Sequence, residues 1–153
     1  RWLTVPRLMA WYGDAGSRYR YSGVIHHPLP WTPLLQTIRQ DMQHSCAHRF
    51  NSVLANLYRD GRDSMGCHAD DERELGLNPS IASLSLGDSR VLRFRHPATA
   101  FKINIELKHG DLLWMTGCIQ HHWRHELPKT RQPKLARINL TFRQIRELYS
   151  RPL

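Results

Sequence analysis

The sequence predicts one mainly β domain, a sandwich or barrel with a flanking helix. From residue 50 onward, short segments with β-type patterning alternate with glycine or proline at intervals that suit such folds. A chain of 153 residues also has room for one sizeable core and little room for two. We expect strands at Phe50–Tyr58, Ile81–Leu86, Val91–His96, Phe101–Leu107, Asp111–Met115 and Ala136–Gln144.

Two elements are expected before these strands. Thr32 can cap a helix whose first position is Pro33, and four apolar residues follow at helical spacing: Leu34, Leu35, Ile38 and Met42. Nearer the N-terminus, Arg18-Tyr19-Arg20-Tyr21 would place aromatic rings on one face of a strand and guanidinium groups on the other. That pattern suits base stacking with phosphate contact, and it equally suits a half-buried edge strand with solvated arginines.

The composition indicates a protein that meets polyanions in a reducing compartment. The net charge is +9 and the pI is about 10.1, so nucleic acid is the leading partner, ahead of heparin-like polymers and anionic membranes. Three cysteines without CxxC spacing argue against a disulfide framework. No segment approaches the roughly 18 apolar residues of a membrane span, and no signal segment opens the chain at Arg1. We therefore expect a soluble part of a longer protein.

His68 and Asp70 are the first candidates for chemistry. Side chains two residues apart in an extended segment point the same way, so this imidazole and carboxylate would converge on one point. Such a pair suits a borderline divalent metal, and a second histidine would complete the 2-His-1-carboxylate face of non-haem Fe(II) oxygenases. The pair alone is also compatible with a charged surface turn, because 10 histidines and 13 acidic residues make a chance His-x-Asp common.

The last expected strand alternates strictly between apolar and polar side chains. One face is apolar and the other is polar, with Ile138, Leu140 and Phe142 against Arg137, Asn139, Thr141 and Arg143. Two arginines that lean together along about 20 Å of strand leave a gap the size of a small dicarboxylate. Because antiparallel sheets often expose one face to water, the alternation by itself favours a solvent-facing basic stripe.

Taken together, these features resemble the AlkB family of nucleic-acid dealkylating dioxygenases. The resemblance covers nearly the whole chain, and its most specific motif is Arg-x-Asn-Leu-Thr-Phe-Arg at 137–143. Other matching stretches are Asn56-Leu57-Tyr58, His68-Ala69-Asp70-Asp71-Glu72, Ser83-Leu84-Ser85-Leu86-Gly87, His109-Gly110-Asp111-Leu112-Leu113 and Trp123-Arg124-His125-Glu126-Leu127-Pro128. Val5-Pro6-Arg7 and Tyr12-Gly13-Asp14-Ala15-Gly16 look most like the member of the family that acts on duplex DNA.

The resemblance implies a fold and a reaction. The fold would be a double-stranded β-helix, or jelly roll, in a single dioxygenase domain over residues 1–153. Residues 1–49 would form a nucleotide-recognition region with its supporting helix, and residues 50–146 would form the jelly-roll core. The reaction would be oxidative dealkylation of bases such as 1-methyladenine and 3-methylcytosine, with Fe(II), 2-oxoglutarate and O2 as cofactors and with release of formaldehyde and succinate.

The resemblance also implies residue roles. His68, Asp70 and His125 would hold Fe(II) as the catalytic centre, and His125 is chosen over its neighbours because it occupies the family's Trp-x-His-x-x-Pro position. Five residues would hold 2-oxoglutarate: Asn56, Tyr58, Arg137, Asn139 and Arg143. Five more would contact nucleic acid: Arg7, Tyr19, Tyr21, Asp71 and Glu72. Tyr21 would stack on the flipped base opposite His68, and the family's hole-filling wedge would lie before Arg1.

The resemblance implies a monomer that acts on alkylated DNA, single- or double-stranded, or on RNA. No membrane partner is expected. We expect it in the cytoplasm of a bacterium or the nucleus of a eukaryote. Two other functions stay open. The first is a dioxygenase of the same fold that acts on RNA or on a protein side chain, and the second is a catalytically silent barrel that binds nucleic acid.

Overall fold

The computed structural model describes residues 6–17, 19–21 and 24–146, and for 19–21 and 24–26 it describes the backbone alone. The strands in these residues are β1 (Leu8–Gly13), β2 (Tyr19–Tyr21), β3 (Val24–His26), β4 (Ser52–Tyr58), β5 (Met65–His68), β6 (Ile81–Gly87), β7 (Arg90–Arg95), β8 (Lys102–Leu107), β9 (Leu112–Met115), β10 (Arg124–Leu127) and β11 (Arg137–Arg143). The α-helices are α1 (Pro33–Cys46) and α2 (Ile119–His122), and Arg73–Leu75 forms a 3-10 turn. Among the described residues, no helix is both long enough and apolar enough to cross a membrane.

Two antiparallel sheets face each other and form the framework of the molecule. The larger sheet has the order β1-β4-β11-β6-β9, and the smaller one has the order β5-β10-β7-β8. Apolar side chains of both sheets pack into one cluster that contains Tyr58, Ile81, Leu92, Phe94, Leu107, Met115 and Leu127. This double sheet confirms the mainly β fold and the jelly-roll core that we expected.

Helix α1 covers the outer face of the larger sheet. It begins as predicted, because the Thr32 hydroxyl accepts a hydrogen bond from the Leu35 N–H over 3.2 Å and Pro33 occupies the first turn. Its buried face packs on a second apolar cluster that includes Phe50, Val53, Ala82, Leu84, Leu140 and Phe142. Since successive side chains of a strand point to opposite faces, this packing turns the polar residues of β11 toward the smaller sheet.

The expected strands agree with the observed ones to within two residues at each end. The sequence did not predict β1, β3, β5 or β10 as strands, although it suggested an extended segment at His68 and Asp70. Strand β10 is only four residues long and carries Arg124 and Glu126 on one face, so its pairing with β5 and β7 decides its conformation more than its own pattern does. The division between residues 1–49 and 50–146 stays a prediction, although β1 adds residues 8–13 to the larger sheet.

Candidate active site

A cavity of about 420 Å³ lies between the two sheets. One wall carries polar side chains of the larger sheet, and the other carries two histidines and an aspartate among apolar residues. The lining includes Asn56, Tyr58, Arg137, Asn139, Thr141, Arg143, His68, Asp70, His125, Leu92, Leu107 and Leu127. The structure therefore brings together all eight residues that the resemblance assigned to the metal and the cosubstrate.

The polar face of β11 lines this cavity and does not face water. Arg137 and Arg143 are 3% and 6% exposed, whereas Ile138 on the opposite face is 41% exposed. The solvent-facing basic stripe, which the alternation alone favoured, is therefore wrong. The reason is position, because β11 lies between β4 and β6 in the larger sheet and the smaller sheet covers its polar face.

His68, Asp70 and His125 form a cluster with metal-ligand geometry. One ligand atom from each residue lies within 4.8 Å of the others. His68 ends β5, and the pairing of β5 with β10 places His125 directly opposite His68, with the ring centroids 4.4 Å apart. Asp70 follows His68 by two positions, and its carboxylate oxygens lie 3.7 Å from His68 Nε2 and 3.9 Å from His125 Nε2. Strand register thus explains how residues far apart in sequence converge.

Neither of the neighbouring histidines belongs to this cluster. His121 Nε2 lies 3.0 Å from Asn78 Oδ1, and His122 is exposed on the same short helix. His125, in contrast, is 4% exposed and lies on the strand that faces the cavity.

The hydrogen bonds and burial of the two clustered histidines suit metal binding. His68 Nδ1 lies 2.9 Å from the carbonyl oxygen of Gly66. Because a carbonyl only accepts, Nδ1 carries a proton, and Nε2 is the ring nitrogen on the side of Asp70 that a metal would use. Burial lowers the pKa of His125 to about 4, although the Asp70 charge opposes this shift, so the ring is neutral near pH 7.

Asp70 is a buried carboxylate with one oxygen left for a cation. Burial raises its pKa, but the opposing effects, of which the Arg143 guanidinium is the largest, hold the pKa below its ordinary value. Arg143 Nη2 donates a hydrogen bond to Oδ1 over 2.8 Å. Oδ2 is buried and accepts no hydrogen bond from the described residues. A divalent cation between Oδ2 and two neutral imidazoles would satisfy this oxygen, so the donor set fits Fe(II).

Arg137 is a buried guanidinium without a carboxylate partner among the described residues. Its Nη2 donates to Ser85 Oγ over 2.9 Å, its Nε is buried without an acceptor, and its central carbon lies 5.4 Å from the Tyr58 ring centroid. Burial lowers its pKa. Desolvation of an unpaired ion costs several kcal/mol, so a carboxylate that enters the cavity would stabilise this arginine. The site therefore fits an organic acid such as 2-oxoglutarate.

Asn139 and Asn56 line the cavity with hydrogen bonds already made inside the protein. Asn139 Nδ2 donates to Ser83 Oγ over 2.8 Å, and its Oδ1 accepts from Thr141 over 2.9 Å. Asn56 Oδ1 accepts from Arg7 Nε over 2.7 Å. These amides therefore hold neighbouring cavity residues in place.

Ser83 and Ser85, which lie in one of the stretches that match the family, support the polar face of β11, a role that the sequence interpretation did not assign to them. The register of β6 with β11 places Ser85 opposite Asn139 and Ser83 opposite Thr141. Their spacing was the available signal, because serines two positions apart on a central strand face the same side of a sheet.

The residues expected to contact nucleic acid are divided by the structure. Arg7 and Glu72 line the cavity, and Glu72 Oε2 is buried without a hydrogen-bond donor among the described residues. Asp71 is exposed and lies outside the cavity lining. Tyr19 and Tyr21 lie on a strand, as the alternation suggested, and this strand, β2, pairs with β3. Their side chains lie outside the described residues.

Comparisons with known proteins agree with this geometry. Residues 3–143 match the family model of the 2OG-Fe(II) oxygenase superfamily. Human DNA oxidative demethylase ALKBH2 is 42% identical over an alignment of 153 positions, and the match covers 95% of this chain and 59% of that protein. Human alpha-ketoglutarate-dependent dioxygenase alkB homolog 3 is 41% identical over an alignment of 150 positions, and the match covers 92% of this chain and 52% of that protein. This chain therefore spans little more than half the length of these two relatives.

A solved structure agrees on the fold. OsALKBH1 aligns with a TM-score of 0.64 and 20% sequence identity, covering 89% of this chain and 77% of the other. At that identity the likeness concerns the fold alone, whereas the family match covers both the metal cluster and β11. The chain belongs to the 2OG-Fe(II) oxygenase superfamily and, within it, to the AlkB family.

Proposed function

We propose that this chain forms the catalytic part of an Fe(II)- and 2-oxoglutarate-dependent dioxygenase that removes alkyl groups from base nitrogens in DNA. The observation that carries the proposal is the cluster of His68, Asp70 and His125 in a cavity whose opposite wall holds the unpaired Arg137. A relative named DNA oxidative demethylase supports DNA as the substrate. Because this chain spans only part of that relative, the activity and substrate of the whole protein belong to the proposal.

His68, Asp70 and His125 would hold Fe(II), and three protein ligands leave coordination positions for other groups. When bound, Fe(II) and 2-oxoglutarate activate O2, so that the keto acid is oxidised to succinate and CO2 and one oxygen atom is inserted into a C–H bond of the alkyl group. The chain itself supplies orientation, charge and exclusion of water. Apolar side chains that line the cavity, among them Leu92 and Leu107, would limit the access of water.

The cosubstrate would lie along the polar face of β11. Arg137 would pair the carboxylate far from the metal, because a guanidinium offers a planar fork that matches a carboxylate. Arg143 would supply positive charge at the metal end, where it already holds Asp70. Tyr58 would donate its hydroxyl to the cosubstrate, since that hydroxyl now faces only the weak acceptor Met65 Sδ at 3.8 Å among the described residues.

The damaged base would enter from the side of Glu72. The target nitrogen of the base lies on its pairing edge, inside the base stack, so the base must be flipped out of the duplex. A damaged base that cannot pair is easier to extrude. Glu72 is half-buried and lines the cavity with its buried Oε2, and its charge would favour the positive charge of 1-methyladenine or 3-methylcytosine. Tyr21 would stack on the base opposite His68, with Tyr19 at its edge. Asp71 is exposed outside the cavity lining and is assigned no contact with the base.

The hydroxymethyl group formed on the base nitrogen leaves as formaldehyde without a further cofactor. The hydroxyl proton leaves, the carbon–oxygen double bond of formaldehyde forms, and the C–N bond breaks with its electron pair returning to the base nitrogen. A cationic methylated base thereby becomes the neutral, unmodified base. The DNA backbone is not cleaved.

We further propose a monomer that works in a reducing intracellular compartment, in bacterial cytoplasm or in a eukaryotic nucleus. The net charge of +9 supports a nucleic-acid partner. Cys46, Cys67 and Cys118 are free thiols, which suits a reducing environment.

The test is turnover on methylated oligonucleotides with Fe(II), 2-oxoglutarate and O2. Single-stranded DNA, duplex DNA and RNA that carry the same lesion are compared, and the loss of the methyl group and the formation of succinate are read by mass spectrometry. We expect demethylation of DNA by the wild type and none by His125→Ala. Turnover on RNA alone would assign the enzyme to RNA, and hydroxylation of peptides without action on nucleic acid would assign it to protein side chains.

A further inference from the structure

We propose that Gln120 is a positioning residue for Asp70, the carboxylate ligand of the metal site. The inference rests on the proposed function, because it concerns a metal ligand. Gln120 lies in α2 and is 4% exposed. Its Oε1 accepts a hydrogen bond from the backbone N–H of Asp70 over 3.0 Å, across 50 positions of sequence.

Asp70 needs this acceptor because it lies beyond the end of a strand. The pairing of β5 with β10 ends at His68 and His125, and Asp70 comes two residues after His68. Its backbone N–H therefore lies beyond the pairs of that ladder. A buried N–H that lacks an acceptor costs about 1–3 kcal/mol, and the Gln120 amide oxygen removes this cost.

The orientation of the Gln120 amide is fixed from both sides. A backbone N–H only donates, so the amide oxygen faces Asp70 and Nε2 faces Met115 Sδ at 3.7 Å. Met115 ends β9 and lines the same cavity. The amide therefore connects the end of β9 with the loop that carries Asp70.

Gln120 and Arg143 contact opposite ends of Asp70. Gln120 holds the backbone of Asp70, and Arg143 Nη2 holds the carboxylate Oδ1. With both ends held, Oδ2 stays turned toward His125, at 3.9 Å from its Nε2. The segment of Gln120 also continues directly into His125, so one side chain connects the two parts of the chain that bring ligands to the site.

The test compares two substitutions of Gln120 by Co(II) binding to the metal-free protein. Gln120→Leu keeps the buried volume and removes the acceptor, whereas Gln120→Glu keeps an acceptor oxygen and adds a charge. Loss of an outer partner of a ligand typically costs 10–100-fold in metal affinity, so we expect about that loss for Gln120→Leu and a much smaller loss for Gln120→Glu. A residue that only packs would give the opposite order, because leucine suits an apolar site and a buried charge does not.

Visible absorption of bound Co(II) reports the ligand geometry, and thermal unfolding of the metal-free protein reports the fold. His122→Ala on the exposed side of α2 is the matched control and should bind Co(II) as the wild type does. If Gln120→Leu does not fold, Gln120→Asn withdraws the oxygen by one methylene and should show the same loss of affinity.

Affinity of Gln120→Leu within twofold of wild type, or equal weakness of the Leu and Glu variants, would overturn the inference. A wild-type protein that does not bind Co(II) through His68 would also overturn it, because Asp70 would then not be a metal ligand at this site. If Co(II) binds as expected but no nucleic acid is demethylated, the proposed substrate fails while the role of Gln120 stands.

Discussion

The Arg143 guanidinium donates a hydrogen bond to Asp70 Oδ1 over 2.8 Å and so joins β11, in the middle of the larger sheet, to the loop after β5. Both side chains are buried, with 7% and 4% of their surfaces exposed. The resemblance assigned Arg143 to the cosubstrate, and the structure adds that it holds Asp70, a member of the candidate metal cluster. With both roles, Arg143 would connect the metal and cosubstrate parts of the site.

Arg143→Leu should destabilise the protein strongly. Removing one partner leaves the Asp70 charge buried without its cation, which costs about 3–5 kcal/mol in comparable buried pairs. Denaturant unfolding of the metal-free protein measures the loss. Replacing both residues, as Asp70→Leu with Arg143→Leu, should recover much of it, because no unpaired charge remains. Arg62→Leu, whose side chain is 88% exposed, is the control and should change stability by less than about 1 kcal/mol.

His68→Ala, Asp70→Ala and His125→Ala should each abolish turnover and weaken metal binding. A facial site that lacks one of three ligands loses the metal or its geometry. Succinate formation and Co(II) titration measure the two effects. His121→Ala and His122→Ala should behave as the wild type, since neither residue belongs to the cluster. Full activity in His125→Ala would mean that the wrong histidine has been assigned.

Arg137→Ala should weaken 2-oxoglutarate binding and leave the metal in place. The variant loses a charge-assisted contact of about 1.5–3 kcal/mol, which corresponds to roughly a 10- to 150-fold rise in Kd. Calorimetric titration of 2-oxoglutarate into the Mn(II)-loaded protein measures this Kd, and a Co(II) titration confirms that the metal site is intact. An unchanged Kd for 2-oxoglutarate would rule out Arg137 as the partner of the distal carboxylate.

The local sequence pattern predicted most strands but not the environment of their faces. Strict alternation along β11 located the strand to within a residue, yet the same alternation fits a wet polar face or a cavity wall. The difference depends on the second sheet above Arg137 and Asn139, which is a tertiary relation that no single segment contains. The resemblance supplied that information because its motifs come from a whole fold.

Contacts that depend on side-chain identity outside the motifs were not predictable. Gln120 lies in a four-residue helix without periodicity, and its bond to Asp70 crosses 50 positions of sequence. The Arg7–Asn56 bond likewise depends on the register of β1 against β4, and β1 was not predicted as a strand. Such contacts require the register of the sheets to be known first.

The carboxylate of Asp63 should make stability pH-dependent in the acid range. A side-chain hydrogen bond from Arg59 holds the pKa of Asp63 at about 2, below its ordinary value, even though burial opposes the shift. Because the folded-state pKa is lowered, the contribution is present above about pH 4 and is lost as the pH falls through about 2. Allowing for the exposure of Arg59, we expect about 1–2 kcal/mol. The difference in unfolding free energy between wild type and Asp63→Asn should be present at pH 6 and shrink toward pH 2, and a constant difference would contradict this origin.

Glu72→Gln should reduce activity on cationic lesions far more than on neutral ones. Glu72 is half-buried and lines the cavity, and its Oε2 is buried without a hydrogen-bond donor among the described residues, so water screens its charge less than that of an exposed carboxylate. The loss of such a charged contact is worth about 1.5–3 kcal/mol, or roughly 10- to 150-fold in kcat/KM on 1-methyladenine and 3-methylcytosine. Neutral etheno adducts lack the positive charge and should change little.

The neighbouring Asp71 gives the matched control for Glu72. Asp71 is exposed and lies outside the cavity lining, so Asp71→Asn removes an equal charge where water screens it, and the effect should stay below about 1 kcal/mol. Kinetics on cationic and neutral lesions in the same oligonucleotide separate selectivity from overall activity. Decay of 2-oxoglutarate without DNA should survive in both variants, because neither residue belongs to the metal cluster. If both variants lose the same selectivity for cationic over neutral lesions, the general negative charge near the cavity, and not the buried oxygen of Glu72, distinguishes the damaged base.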